Sequence, residues 1–153
     1  MKKLCPAILA SLFLFTAISC SDDPDDKAPP ITPIQLFDNV TDGSWRITLF
    51  SEDGTVKTEN FNGYSFIFQS NSVLTANSGS NTYIGNWGIT LESNTDDNPD
   101  NDLDFNIAFT APDAFVSLSD DWDVLQTSAT KLQLRHVSGG DGSVDLLTFE
   151  KNQ

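Results

Sequence analysis

The chain has 153 residues, with 22 acidic side chains against 8 basic ones and a formal charge of −14. A field of that sign repels phosphate and excludes nucleic acid as a partner. One histidine, His136, and two cysteines, Cys5 and Cys20, leave no material for a multi-histidine metal centre or a thiolate cluster. At the N-terminus Lys2 and Lys3 precede an apolar run over residues 4–18. A charged start and a short apolar stretch form the layout of an export leader, whereas a spanning helix needs about 20 apolar residues. The run stops at Ala17-Ile18-Ser19-Cys20, and Ser21, Asp22, Asp23, Pro24, Asp25 and Asp26 follow at once. Together with Pro29, Pro30 and Pro33 this acidic, proline-rich segment predicts an extended tether, because it holds too little apolar surface to fold.

Ala17-Ile18-Ser19-Cys20 resembles the lipobox of bacterial lipoproteins. The resemblance implies cleavage before Cys20 and attachment of acyl chains at that residue, and several chains at one point anchor firmly. The segment Ser21, Asp22, Asp23, Asp25 and Asp26 resembles the acidic export signal of Bacteroidetes lipoproteins, which implies display on the outer face of an outer membrane. On this reading residues 1–19 are a signal peptide, 20–32 a lipidated tether and 33–153 one folded domain. Loss of the leader removes Lys2 and Lys3 and takes the formal charge to −16. With Cys5 gone and Cys20 acylated, the folded part has no thiol for a disulfide or a nucleophile. Roughly 120 residues are enough to build a core without such staples.

From Ser44 onward short runs alternate apolar and polar residues with period two, the mark of strands in a half-buried antiparallel sheet. Trp45, Ile47 and Leu49 share one face against Arg46, Thr48 and Phe50. Tyr64, Phe66 and Phe68 do the same, as do Tyr83, Gly85, Trp87, Ile89 and Leu91. Leu103, Phe105, Ile107 and Phe109 form a further face, and Leu132, Leu134 and His136 another. Turn residues separate them at Asp53-Gly54, Asn62-Gly63, Ser78-Gly79-Ser80 and Gly139-Gly140-Asp141-Gly142. The pattern predicts an all-β fold of eight or nine strands, near residues 44–50, 56–61, 63–69, 72–77, 82–92, 102–110, 121–127, 130–137 and 144–150. Helical turns are expected only near residues 34–40 and 114–118. So many short strands joined by hairpins form an antiparallel meander that closes as a barrel or folds as a sandwich. Gly85 and Gly88 within a long strand point to a barrel bend.

Gly43-Ser44-Trp45, opening the first strand after a helical turn, resembles the G-x-W of lipocalins. The ordered set extends through Asn62-Gly63-Tyr64, Gly85-Asn86-Trp87, Leu118-Ser119-Asp120-Asp121-Trp122 and Leu147-Thr148-Phe149-Glu150-Lys151, and is similar to lipocalin-like domains of Bacteroidetes lipoproteins. The resemblance implies a closed barrel with Trp45 plugging one end. In lipocalins a late arginine crosses that tryptophan; here Arg135 is the nearest in sequence, and it falls on the polar face of its strand.

No residue set stands out as catalytic. Asp120, Asp121 and Asp123 flank Trp122, but no cleft for carboxylate chemistry is legible. The loop at residues 94–102 is rich in oxygen ligands yet fails as an EF-hand, with Asn101 where Gly belongs and Ile107 where Glu belongs. Neither a metal nor a cofactor is expected. Trp87, Trp122 and His136 are the residues expected to meet a small apolar ligand if the barrel is hollow. A barrel of eight strands is just wide enough to be filled by side chains or to hold one such ligand. The function expected is therefore non-enzymatic binding: of a small apolar molecule inside, or of an extracellular glycan or protein outside a packed barrel, with the membrane reached through the N-terminal lipid.

Overall fold

The computed structural model describes residues 30–91 and 103–153. Cys20, the acidic residues at 21–26 and the loop at 94–102 lie outside them. The elements run α1 (Pro33–Thr41), β1 (Trp45–Glu52), β2 (Thr55–Val56), a 3-10 turn (Thr58–Phe61), β3 (Ser65–Phe68), β4 (Val73–Asn77) and β5 (Thr82–Leu91). They continue with β6 (Leu103–Ala108), a single helical turn α2 (Asp113–Val116), β7 (Asp120–Thr127), β8 (Lys131–Val137) and β9 (Val144–Lys151). Eight strands form a closed antiparallel barrel in the order β1-β3-β4-β5-β6-β7-β8-β9, with β9 returning to β1. The ninth, β2, adds only two residues to β1, opposite Ser51 and Glu52.

Each end of the barrel is closed by a helical segment. At the start of β1, α1 is nucleated by Thr32, whose side chain accepts from the Gln35 N–H while Gln35 reaches back to the Thr32 N–H, with Pro33 in the first turn. Leu36 and Val40, one turn apart, are fully buried, and the Trp45 indole N–H donates to the Val40 carbonyl at 2.9 Å. Lys151 stands over the Trp45 ring, 5.9 Å from its centroid, and is held there by Asp42. That is the place in which the resemblance led one to look for an arginine, whereas Arg135 lies on the exterior and pairs with Asp123 at 2.9 Å. At the opposite end, α2 carries buried Phe115, which meets Phe61, Tyr64, Tyr83 and Phe109 at centroid distances of 4.8–5.3 Å.

Two strand assignments shift. Residues 56–61 form only the end of β2 and then the 3-10 turn, because a side chain takes over the ladder: Thr58 Oγ1 accepts from the Phe50 N–H at 2.9 Å and donates back to the Phe50 carbonyl. Thr58→Val keeps the shape and removes both bonds, so a loss of about 1 kcal/mol is expected, with Thr58→Ser keeping most of it. Urea midpoints read the difference.

On β1 the alternation breaks. Ile47 pairs with Phe149 but Leu49 pairs with Thr148, so Thr48 is an extra residue in a bulge. Everything beyond it moves by one, and Phe50 is buried in place of Leu49, which is only half-buried. A single inserted residue in a period-two pattern reverses the faces that follow.

Gly85 owes its place to close approach. A Cβ there would lie 2.5 Å from the Ala108 carbonyl oxygen and 2.8 Å from the Phe109 ring. Gly88 has open space beside it.

Candidate functional site

The barrel interior is filled with aromatic rings. Phe149 meets Phe66 and Phe68, each at a centroid distance of 5.4 Å, and Phe68 continues to Phe105 at 5.4 Å and to Trp87 at 5.5 Å. At the α2 end Phe66 passes the chain of contacts to Phe115 and Phe61. Edge-on packing of this kind fills volume from one cork to the other at ring spacings of about 4.5–7 Å.

The three residues expected to meet a ligand occupy different places. Trp87 is buried beneath α1: Phe37 stacks on it at 5.8 Å, and its indole N–H donates to the Gln69 carbonyl at 2.9 Å. Trp122 is buried as well, its N–H given to the Leu118 carbonyl at 3.1 Å. Both indoles have their polar group satisfied by backbone and offer a visiting molecule only apolar surface already in contact with neighbours. His136 sits at the α2-end rim rather than inside, with its side chain 23% exposed and its ring edge-on to Trp122 at 6.3 Å.

Three oxygens converge on His136 Nδ1: the Asp121 carbonyl at 3.2 Å, Asp120 Oδ1 at 3.3 Å and Asp121 Oδ1 at 3.7 Å. Burial, and then the neighbouring Asp121 carboxyl, push the Asp120 carboxyl above its ordinary pKa. The three side chains offer ligand atoms within 4.8 Å of one another. An imidazole N–H donating to the Asp121 carbonyl and the neighbouring carboxylates adopts the same arrangement, so no metal is assigned to it. Asp123, the third acid of this run, is turned away to Arg135.

A feature not anticipated from the sequence is an apolar cleft of about 360 Å³ between α1 and β5, lined by Pro33, Ile34, Phe37, Ile89 and Leu91. Ile34 and Leu91 are 73% and 66% exposed there. The signal was present in α1, where Leu36 and Val40 mark one buried stripe while Ile34 and Phe37 place apolar side chains off it.

No protein-family model matches the sequence, and no curated protein does. Among solved structures the chain is similar to a DUF4847 family protein from Bacteroides vulgatus ATCC 8482, at 16% identity and a TM-score of 0.45, over 74% of this chain and 94% of that one.

Proposed function

We propose that this chain is a lipid-anchored, non-enzymatic binding or accessory module with a lipocalin-like barrel, displayed on the outer face of a Bacteroidetes-type outer membrane. It meets its target, an extracellular glycan or protein, through its exterior. The observation that carries the outward-facing part is the aromatic filling of the barrel, from Trp87 through Phe68, Phe149 and Phe66 to Phe115. A carrier needs an apolar void of several hundred Å³, and rings in mutual contact leave none on that path. The anchoring part is supported by the ordering of leader, Cys20 and acidic residues in the sequence.

Two measurements test the proposal. Cells fed a labelled fatty acid should label the wild-type chain and leave Cys20→Ala unlabelled; equal labelling of both would end the anchoring reading. Replacing Asp22, Asp23, Asp25 and Asp26 by Ala should keep the label and hide the protein from protease added to intact cells.

A second reading has the α1–β5 cleft in its favour, since about 360 Å³ falls within the roughly 300–1,000 Å³ of small-molecule sites. In it, an apolar ligand lies under α1 against Phe37. Saturable uptake of N-phenyl-1-naphthylamine that is lost in Phe37→Ala would establish this reading over the first. Uptake by wild type and Phe37→Ala alike would place the dye outside this cleft and end the second reading.

A further inference from the structure

Between Glu59 and Glu92 the sequence has no Asp, Glu, Lys, Arg or His, although charged residues make up 20% of the chain. This run folds into β3, β4 and β5, three neighbouring strands of the barrel. Every other barrel strand carries charge, including Arg46 on β1, Asp104 on β6, Asp123 on β7, Arg135 on β8 and Glu150 on β9. The inner face of the three strands belongs to the core. Their outer face has Ile67, Thr75 and Ile84 as its central row, in register across β3, β4 and β5. Ile67 is 42% exposed and Ile84 67%.

Two observations say what this face fits. The first is charge. Two copies of a −14 chain repel wherever carboxylates come within the screening length of about 8 Å at physiological salt. On the β3–β5 face the central strands set none against another. The second is that its polar side chains already serve each other: Gln69 donates to Thr75 Oγ1 at 3.0 Å, and Asn77 to Thr82 Oγ1 at 2.8 Å. Each pair still has an unused N–H, C=O or O–H, so the edges of a contact here stay solvated and the part that is covered is the isoleucine row. The row is also self-complementary. An isoleucine lies one strand to either side of Thr75, about 5 Å away across the sheet, so a two-fold axis through Thr75 sets isoleucine on isoleucine, as a closed pair requires.

We propose that the uncharged β3–β4–β5 face is the docking surface for a second copy of this chain, face to face about Thr75. This goes beyond the function proposed above and does not depend on the lipid anchor. A face three strands wide is smaller than the roughly 800 Å² per partner of a standard complex, so the pair is weak and reversible, and cross-linking reads it better than size.

Thr75→Cys in the full chain, oxidised with copper phenanthroline in intact cells, should give a disulfide-linked dimer on a non-reducing gel. The wild type controls for Cys5 and Cys20, and Gln133→Cys, outward and half-buried on β8, controls for random collision. Adding Ile84→Asp to Thr75→Cys should lower the dimer by about tenfold or more, because it places like charges across the axis. Equal dimer from Gln133→Cys would overturn the proposal, as would undiminished dimer with Ile84→Asp. A monomeric Thr75→Cys would overturn it too, and maleimide labelling then tells why: protection means that a different occupant covers the face, and free labelling means that the face is bare.

Discussion

Trp45→Ala is expected to cost on the order of 3–5 kcal/mol, the usual price of emptying a large aromatic site. The side chain is fully buried, its N–H is bonded to Val40, and Lys151 and Asp42 close over it. Truncation therefore opens a cavity, leaves the Val40 carbonyl without its donor and unseats α1 from the barrel end. Against a total stability of about 5–15 kcal/mol for a domain of this size, the variant stands near the edge of folding. Trp45→Phe should recover most of the loss and leave about 1 kcal/mol for the missing hydrogen bond. Urea denaturation of the two variants reads both numbers. A Trp45→Ala within about 0.5 kcal/mol of wild type, as at a neutral surface position, would contradict the plugged barrel end.

Gly85→Ala is expected to destabilise by roughly 1–3 kcal/mol, the range for overpacking a filled core, and Gly85→Val by more. The added Cβ would stand 2.5 Å from the Ala108 carbonyl oxygen and 2.8–2.9 Å from Phe109 ring atoms. The ring can tilt, but the carbonyl belongs to the chain at the end of β6 and moves only with the sheet. Gly88→Ala is the matched comparison, three residues along the same strand with open space at its Cβ. It should be neutral, or stabilising by up to about 1 kcal/mol through the stiffer unfolded chain. Similar melting temperatures for Gly85→Ala and Gly88→Ala would show that β5 and β6 are not packed as described. Both glycines read as barrel bends in the sequence. The structure separates them by what lies opposite, which is a property of β6 and invisible in β5.

The same division runs through the fold. Period two on β3, β6 and β8 was legible because the buried Phe66 and Phe68, Phe105 and Ile107, and Leu132 and Leu134 lie where alternation puts them, whereas on β5 the same face is buried at Trp87 and open at Leu91, which is 66% exposed. It failed on β1, where the bulge at Thr48 brings Phe50 inward. It failed again over residues 56–61, where a threonine hydroxyl substitutes for a strand's own N–H and carbonyl partners. A bulge depends on the partner strand's register, and a side-chain bond to a residue eight positions back depends on the turn between them. Neither leaves a mark on local periodicity. His136 shows the same limit: its face was readable, while its position at the rim beside Asp120 and Asp121 follows from where β7 begins and β8 ends.

The sequence by itself determined an all-β chain of short antiparallel strands, two helical turns at the right places, a buried tryptophan at the start of β1 and a formal charge of −14. These are consequences of side-chain alternation, turn chemistry and net charge, each a property of neighbouring residues or of a sum. Only the tertiary structure decided that the barrel is filled rather than hollow, that Lys151 rather than an arginine covers Trp45, and that the charge-free run makes one continuous outer face. Those outcomes turn on which rings meet across the interior and which strands lie side by side. Contacts between different strands settle such questions, Phe68 with Phe149 and Trp45 with Lys151 among them, and the pattern of any single strand does not contain them.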